Sequence, residues 1–377
     1  MKVEQLQWTG TSGWENYSGS LDGTKANFVL VFGDSQLISE SARYDELKNK
    51  FPEAHILGCS TSGNIIDTEV LDECITATAV HLEKSNTQLV SCEVKDVKDS
   101  FQAGVDLVKQ LAEKDGLKHV LIISEGLGVN GSELAKGANS MLPESISITG
   151  GLAGDGYDFK KTWIIADHAA NSGTVGALGI YGDIQVKHGC VHGWEDFGIK
   201  RKVTKSKDNV VFEIDGEPAL ALYKKYLGEE NAKDLPSSGL RFPISVELQE
   251  GDEPLVRTLL AIDEETQSLT FAGDVPEGKT VFLMKAQIEG LVEAAEKAAQ
   301  SANLSDSSVG LAMAVSCVGR RLVMTKLVEE EVEAVKDTLG DKFSLTGYYS
   351  YGELAPTNEF IQCQLHNQTM TLTTMTE

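Results

Sequence analysis

The sequence predicts an α/β protein of the mixed α+β kind, with two domains whose mixed, largely antiparallel sheets are flanked by helices. Short apolar runs typical of buried strands alternate with segments of helical periodicity along the whole chain. The length of 377 residues suits two domains at roughly 100–200 residues each. An apolar fraction of 41% is sufficient to build two full-sized hydrophobic cores.

In the first half, apolar runs and period-two alternation predict strands, and apolar residues at helical spacing predict two long helices. The second of these helices carries Phe101, Val105, Val108 and Leu111 on one face. The predicted strands are 26–32, 54–57, 76–82, 88–94, 119–124, 146–149, 162–166, 175–181 and 184–188, and the helices are 39–50 and 101–114.

The second half shows the same mixture of patterns. Its predicted strands are 243–248, 255–262, 268–272, 310–318, 345–351 and 369–374, and its helices are 219–227, 285–300 and 329–339. The polar and basic stretch KRKVTKSKDN at 200–209 is typical of a connector. We therefore predict an N-terminal extension at 1–25, a first domain at 26–209 and a second at 210–377.

Charge and cysteine content exclude several classes of protein. The chain has 33 basic and 57 acidic residues, a formal net charge of −24, which argues against binding nucleic acid or an anionic membrane surface. No apolar run is long enough for a spanning helix, and the first residues lack the apolar region of a signal peptide. The six cysteines form no C-x-x-C pair, so we expect reduced thiols in a cytoplasmic protein.

Three glycine-rich loops follow predicted strands. The loop GLGVNG at 126–131 matches the G-x-G-x-x-G pattern, for which a tight turn is favoured over dinucleotide binding. The loop GGLAGDG at 150–156 either packs closely against neighbouring backbone or contacts a ligand through Gly151 and Asp155. The loop GCSTSG at 58–63 differs from the nucleophile-elbow pattern by one residue. An alternative interpretation is therefore a hydrolase or transferase with Ser60 or Cys59 as the nucleophile.

The segment HGCVHGW at 188–194 contains the most informative histidines. In an extended strand His188, Cys190 and His192 face the same way. The two imidazoles would then lie roughly 13 Å apart, too far to share one metal ion. A single axial ligand is the easier geometry, and His192 is preferred to His188 because Trp194 and Phe197 offer apolar cover. The alternative is an edge-strand or hydrogen-bonded role for both histidines.

The second half contains a set of polar and aromatic residues suited to holding a small polar ligand, such as the carboxylate and ammonium of an amino acid. The alternative is an internal polar network that joins strand ends. The candidate residues are Arg320, Tyr349, Tyr351, Glu353, His366 and Asn367.

Several motifs in order resemble those of the FIST family, which pairs FIST-N and FIST-C sensory domains. The first-half matches are VFGDS at 31–35, GCSTSG at 58–63, GGLAGDG at 150–156 and HGWEDFG at 192–198. A connecting match, VFEIDGEPALALYKKYLG, lies at 211–228. The second-half matches are SCVGRR at 316–321, YYSYGELAP at 348–356 and LHNQTMTLTTM at 365–375.

The resemblance implies a ligand-sensing protein of signal transduction rather than an enzyme. Some stand-alone bacterial members are haemoproteins that sense nitric oxide and control a histidine kinase, and other members were proposed to bind amino acids. We therefore expect a non-covalent b-type haem, nitric oxide sensing and regulation of a partner histidine kinase in trans. The alternative is a sensor of a free amino acid or related metabolite. A homodimer is a further expectation.

Overall fold

The computed structural model describes residues 1–247, 254–304, 309–357 and 362–377. Residue 248, the last of the predicted strand 243–248, lies outside these ranges. The first thirteen strands are β1 Lys2–Thr9, β2 Gly13–Gly19, β3 Phe28–Gly33, β4 His55–Ser60, β5 Asn64–Ile66, β6 Glu69–Leu71, β7 Ile75–His81, β8 Ser85–Glu93, β9 Leu117–Ser124, β10 Ser147–Leu152, β11 Ile164–Ala166, β12 Thr174–Gly182 and β13 Gln185–Val191. The others are β14 Trp194–Lys207, β15 Val210–Ile214, β16 Glu217–Pro218, β17 Ile244–Glu247, β18 Leu255–Arg257, β19 Leu259–Asp263, β20 Ser268–Phe271, β21 Thr280–Ala286, β22 Gly310–Cys317, β23 Phe343–Ser350, β24 Gly352–Ala355, β25 Gln364–His366 and β26 Met370–Thr376.

The helices are α1 Ser35–Ile38, α2 Ser41–Lys50, α3 Ser100–Ala112, α4 Gly131–Asn139, α5 Ala219–Lys233, α6 Ile288–Ala302, α7 Val318–Met324 and α8 Glu329–Leu339. A short 3₁₀ helix occupies Ser237–Arg241. Within the described ranges, no helix combines the length and the hydrophobicity needed to cross a membrane.

The strands form four sheets. The first has the order β11-β4-β3-β7-β1-β2, the second β25-β24-β10-β9-β12-β8, and the third β13-β26-β22-β23-β5-β6. The fourth has the order β18-β17-β21-β14-β15-β20-β19, with β16 also paired to β15. The pairs β3/β4, β9/β10 and β22/β23 are parallel, whereas most other pairs are antiparallel. The predicted mixed, largely antiparallel sheets with flanking helices are therefore confirmed.

Three of the sheets combine strands from both sequence halves, and in the fourth sheet β14 pairs with β21. In the second sheet, β24 pairs with β10, and Gly151 lies opposite Glu353. In the third sheet, β5 pairs with β23, and β13 pairs with β26. The halves therefore complete each other's sheets and do not fold as separate layers.

The first 25 residues contribute to the first sheet. Strand β1 pairs with β7, with Leu6 opposite Ala77, and β2 continues the sheet on its other side. Leu6 is 1% exposed and packs in the core beneath this sheet. This segment is therefore an integral sheet component, and not an appended extension.

Small residues allow helix α6 to lie close to the third sheet. A Cβ atom on Gly189 would lie 2.0 Å from the carbonyl oxygen of Ala298, so only glycine allows this approach. The buried face of α6 is otherwise mostly alanine: Leu291, Ala294, Ala295, Ala298, Ala299 and Ala302. The Ala-rich sequence predicted as a helix thus serves close helix–sheet packing.

Several elements differ from their sequence predictions, among them the predicted strand 255–262, which is divided into β18 and β19, and the following two segments. The supposed connector 200–209 mostly lies in β14, which pairs with β21 and β15. The lysines and arginines of this strand are largely exposed, whereas Val203 is buried. A strand with one side facing solvent is rich in polar and basic residues, and for this reason its sequence resembled that of a linker. Strand β21 ends at Ala286, inside the predicted helix 285–300, and α6 begins only at Ile288.

We expect Leu6→Ala to lower the free energy of unfolding by about 2–5 kcal/mol, because it opens a cavity in the core of the first sheet. Urea denaturation measures this change. Leu327→Ala, at a side chain that is 43% exposed, is the control and should stay within about 0.5 kcal/mol of wild type. Equal stability of the two variants would show that β1 is not part of the cooperative core.

Candidate functional site

A cavity of about 490 Å³ lies where the two sequence halves meet. The first half contributes the loop after β9, the start of α4 and the loop around Tyr157. The second half contributes the 3₁₀ helix, β19, the end of β20, and residues beside β24 and β25. The wall consists of Val97, Gly126, Leu127, Val129, Asn130, Gly131, Leu152, Tyr157, Phe159, Asn209, Pro236, Ser237, Leu240, Leu259, Leu260, Phe271, Ala272, Gly273, Leu322, Tyr351 and Leu365.

The glycine loop 126–131 is organised around the buried carboxylate of Glu125. Its Oε1 accepts hydrogen bonds from the backbone N–H of Leu127 at 3.0 Å and from the Thr162 hydroxyl at 2.8 Å, and its Oε2 accepts from the N–H of Gly128 at 2.5 Å. The Asn130 side chain caps α4. Protein groups therefore occupy the N–H groups that a dinucleotide phosphate would need, which supports the tight-turn interpretation.

Tyr351, which lines the cavity, contacts Asp155, another of the predicted ligand residues. The Tyr351 hydroxyl donates to the Asp155 carboxylate, which also accepts the backbone N–H groups of Phe159 at 2.9 Å, Lys160 at 2.8 Å and Lys161 at 2.8 Å. The rings of Phe159 and Tyr351 stack with centroids 4.4 Å apart. Burial, with the neighbouring Asp155, raises the pKa of Tyr351, so its phenol stays protonated. These contacts fix the loop that carries Tyr157 and Phe159.

Arg320 and Tyr349 belong to a buried ion-pair network. The Arg320 Nη2 and Nε donate to the Glu331 carboxylate at 2.6 and 2.9 Å, and Nη1 donates to the carbonyl of His192 at 2.6 Å. Nη2 also reaches the carbonyl of Leu291, and the Tyr349 hydroxyl donates to Glu331 at 2.7 Å. All three guanidinium nitrogens are therefore engaged by the protein.

Glu353 is fully buried beside β26. Its carboxylate accepts hydrogen bonds from the hydroxyl of Ser350 at 2.5 Å, and from the hydroxyl and backbone N–H of Thr369 at 2.9 and 3.2 Å. Burial raises its pKa to about 8. Arg320 and Glu353, proposed from sequence to hold one ligand together, thus have different principal partners.

The other predicted ligand residues also make internal contacts. The His366 Nε2 lies 3.0 Å from the carbonyl oxygen of Ala355, and Asn367 accepts from the backbone N–H of Thr258 at 3.4 Å. Gly151 lies opposite Glu353 in the backbone pairing of β10 with β24. Of the predicted ligand residues, Tyr351 alone lines the cavity. Ligand roles for the remainder stay predictions.

The predicted metal-ligating histidines do not line the cavity. The His192 Nδ1 accepts a hydrogen bond from the backbone N–H of Trp194 at 2.9 Å, and burial together with Arg320 lowers the pKa of His192 to about 4. The Nδ1 of His188 is buried and has no hydrogen-bond partner within the described ranges. In those ranges, no three or more His, Cys, Asp or Glu side chains cluster to hold a metal ion. The cavity wall offers no histidine as an axial ligand, so its residues do not fit a histidine-ligated haem.

The alternative nucleophiles are buried away from the cavity wall. The Ser60 hydroxyl oxygen accepts the backbone N–H of Trp163 at 2.9 Å. Burial raises the pKa of the Cys59 thiol, which disfavours the reactive thiolate. The hydrolase or transferase alternative based on these two residues stays a prediction.

Comparison with known proteins identifies related sequences. The FIST N domain matches residues 27–217 and the FIST C domain matches residues 219–356, which confirms the family resemblance of the sequence motifs. The uncharacterized protein MJ1623 of Methanocaldococcus jannaschii is 25% identical over 340 residues, covering 81% of this chain. The match spans 63% of that protein's length.

Comparison of folds finds a chorismatase at 9% identity and a cyanuric acid hydrolase from A. caulinodans at 8% identity, each with a TM-score of 0.35. Each alignment covers 100% of this chain and 98% of the other. These low scores carry no information on activity.

We expect the pH dependence of stability to report the burial of Glu353. Because burial raises the folded-state pKa from 4.5 to about 8, the stabilising contribution is complete below pH 4.5 and is lost as pH rises through about 8. Glu353→Gln lacks this titration. The stability of wild type relative to Glu353→Gln should therefore fall by a few kcal/mol, on the order of 3, between about pH 5 and about pH 8.

Urea denaturation of both proteins at each pH measures this difference. His119 and His366, whose pKa values burial lowers to about 3 and about 4, act in the opposite direction but are present in both proteins. Glu330→Gln, at an exposed carboxylate, is the control and should follow the wild-type pH dependence. Parallel curves for wild type and Glu353→Gln would contradict the prediction.

Proposed function

Since the chain belongs to the FIST family, whose domains are associated with sensory signal transduction, we propose that it is a cytoplasmic small-molecule sensor. Its ligand would occupy the cavity between the FIST N and FIST C segments. The output would pass to a separate signalling protein, for which a histidine kinase is our leading candidate.

The observation that carries this proposal is the cavity, which is built by both family segments. Its volume of about 490 Å³ lies within the range of roughly 300–1,000 Å³ typical of small-molecule sites. Its wall is mainly aliphatic and aromatic, with the aromatic rings of Tyr157, Phe159 and Tyr351 on one side. Leu259 and Phe271 of the FIST C segment lie in the same wall, so a bound ligand would contact both segments.

The loop 154–162 supplies a physical route from the cavity to the surface. Tyr157 and Phe159 line the cavity, while the carbonyl of Gly156 accepts a hydrogen bond from the Ser62 hydroxyl at 2.8 Å. The carbonyl of Ser62 in turn accepts from Arg321, whose guanidinium pairs with Asp72 at the surface. A ligand that displaces the aromatic side chains would therefore disturb a surface ion pair that a partner protein can contact.

Haem with nitric oxide stays a second prediction, based on the family resemblance. The buried, unpartnered Nδ1 of His188 and the buried imidazole of His192 are the chain's own features that favour it. The cavity wall contains no histidine that could ligate iron, so it favours an organic ligand without a metal. An amino acid or related metabolite is therefore the better supported choice.

We expect Leu260→Trp to block the cavity. Leu260 lines it but is 42% exposed, so the larger side chain can enter the cavity without disrupting the core. The neutral dye N-phenylnaphthylamine fluoresces in apolar surroundings and is the probe. Its dissociation constant should rise at least about tenfold in the variant.

The matched control is Leu327→Trp, because Leu327 is 43% exposed and is not part of the cavity wall. It should bind the dye as wild type does. If wild type binds no dye, or if both variants bind it equally well, the cavity is not the ligand site and this proposal is wrong.

The haem prediction has its own test. Haemin added to the purified protein should give a Soret band that shifts with nitric oxide if His192 ligates iron, and His192→Ala should lose both features. His81→Ala is the histidine control and should keep them. A wild-type protein without a Soret shift would remove haem from consideration and leave the cavity proposal intact.

A further inference from the structure

We propose that the cavity ligand is a small organic anion with an apolar body, and that its negative group faces the wall at Gly273 and Leu365. The buried guanidinium of Arg257 lies directly behind that part of the wall. The inference rests on the proposed function and adds a chemical class to the ligand.

Arg257 ends strand β18 and is 3% exposed. Its Nε donates to the backbone carbonyl of Asp274 at 3.1 Å, and its Nη1 donates to the carbonyls of Val256 at 3.2 Å and Leu365 at 3.0 Å. These hydrogen-bond partners of the cation are backbone carbonyl dipoles, and one of them belongs to Leu365 of the cavity wall.

Only a glycine backbone separates the guanidinium from the cavity at one point. A Cβ atom on Gly273 would lie 2.8 Å from the Arg257 Nε and 3.1 Å from its Cζ. Any larger residue would have to displace the guanidinium. The missing side chain thus lets the cation approach the surface that a ligand contacts.

The positive charge persists at neutral pH. Burial lowers the pKa of Arg257, but only to about 10. The side chain of Asp274 is the nearby acid, and its two oxygens lie 3.3 Å from the Asn130 Nδ2 and 3.2 Å from the Lys136 Nζ. Within the described part of the chain, no carboxylate forms an ion pair with Arg257.

A charge in a desolvated wall acts strongly on a neighbouring ligand, because the protein screens it less than water does. The chain as a whole carries −24 and repels anions. Arg257 therefore gives this part of the wall a local positive charge, although the chain as a whole is negative. An anion placed against Gly273 adds a charged partner to a cation whose direct hydrogen bonds go to neutral carbonyls.

The other buried charge near the cavity determines the orientation of the ligand. Glu125 lies behind the glycine loop, with its oxygens directed at two loop N–H groups and the Thr162 hydroxyl. Because Glu125 is itself negative, it repels the anionic group of a ligand, and that side favours the apolar end. Leu127, Phe159 and Tyr351 are available there to pack against it.

The test uses two probes that share one apolar body. Phenylbutyrate is an anion at neutral pH, and phenylbutyramide is its neutral amide. Each is titrated against protein that carries N-phenylnaphthylamine, and dye displacement gives the affinity. We expect the acid to bind wild type at least about tenfold more tightly than the amide.

Arg257→Gln should remove this preference, because it removes the cation behind Gly273. Arg241→Gln removes the same charge at an exposed residue next to the cavity residue Leu240, and should keep the preference because water and salt screen it. If Arg257→Gln does not fold, the wild-type preference is measured in low salt and in about 0.5 M NaCl. If the cation is buried, we expect the ratio of the two affinities to change by less than about twofold between the two salt concentrations.

The outcomes separate this inference from the proposed function. If the acid and the amide bind with equal affinity, or if neither displaces bound dye, the inference that the ligand is an anion is wrong. A preference that survives in Arg257→Gln, or that disappears in high salt, overturns the role of Arg257. None of these results affects dye binding to wild type or its loss in Leu260→Trp, on which the sensor proposal depends.

Discussion

The antiparallel pairing of β10 with β24 is the interaction on which the cavity depends. It joins a strand of the FIST N segment to a strand of the FIST C segment, and Leu152 and Tyr351 near its ends both line the cavity. Two glycines allow β10 to lie close to its neighbouring strands on both sides, β9 and β24. A Cβ atom on Gly150, whose φ is +147°, would lie 1.8 Å from the carbonyl oxygen of Ile122, and one on Gly151 would lie 2.9 Å from that of Gly352. Backbone packing thus explains the glycine pair without a ligand contact.

Buried polar groups also connect elements of the FIST C segment to one another and to His192 of the FIST N segment. The Arg320–Glu331 pair joins β22 and α8 through Ser316, and extends to the carbonyl of His192. Removing one member of such a pair is costly because it leaves an uncompensated buried charge. Glu353 avoids that cost differently, since its raised pKa allows it to stay protonated. Residues that looked suited to a polar ligand therefore act in the structure as internal connections.

The sequence predicted the strands whose patterns are local. Strands such as β3 and β22 are entirely buried and contain almost only apolar residues, which identifies them without knowledge of their partners. Strand β14 was missed because one of its sides faces solvent, and β1 because it precedes the recognisable motifs.

The cavity was missed because its wall joins residues that are distant in sequence. Glu125 and Arg257 did leave local signs, an acid directly before a glycine loop and a single cation inside the apolar run LVRTLLAI.

The placement of these two charges is consistent with the proposed sensing role. Glu125 belongs to the FIST N segment and Arg257 to the FIST C segment, and each lies behind the wall with hydrogen bonds to protein groups. Such charges can polarise and orient a bound molecule through the electric field that they exert on it. A ligand held between them binds both segments at once. Its binding energy can therefore favour one arrangement of the loop 154–162 over another, which is the thermodynamic requirement for a ligand to change a signalling surface.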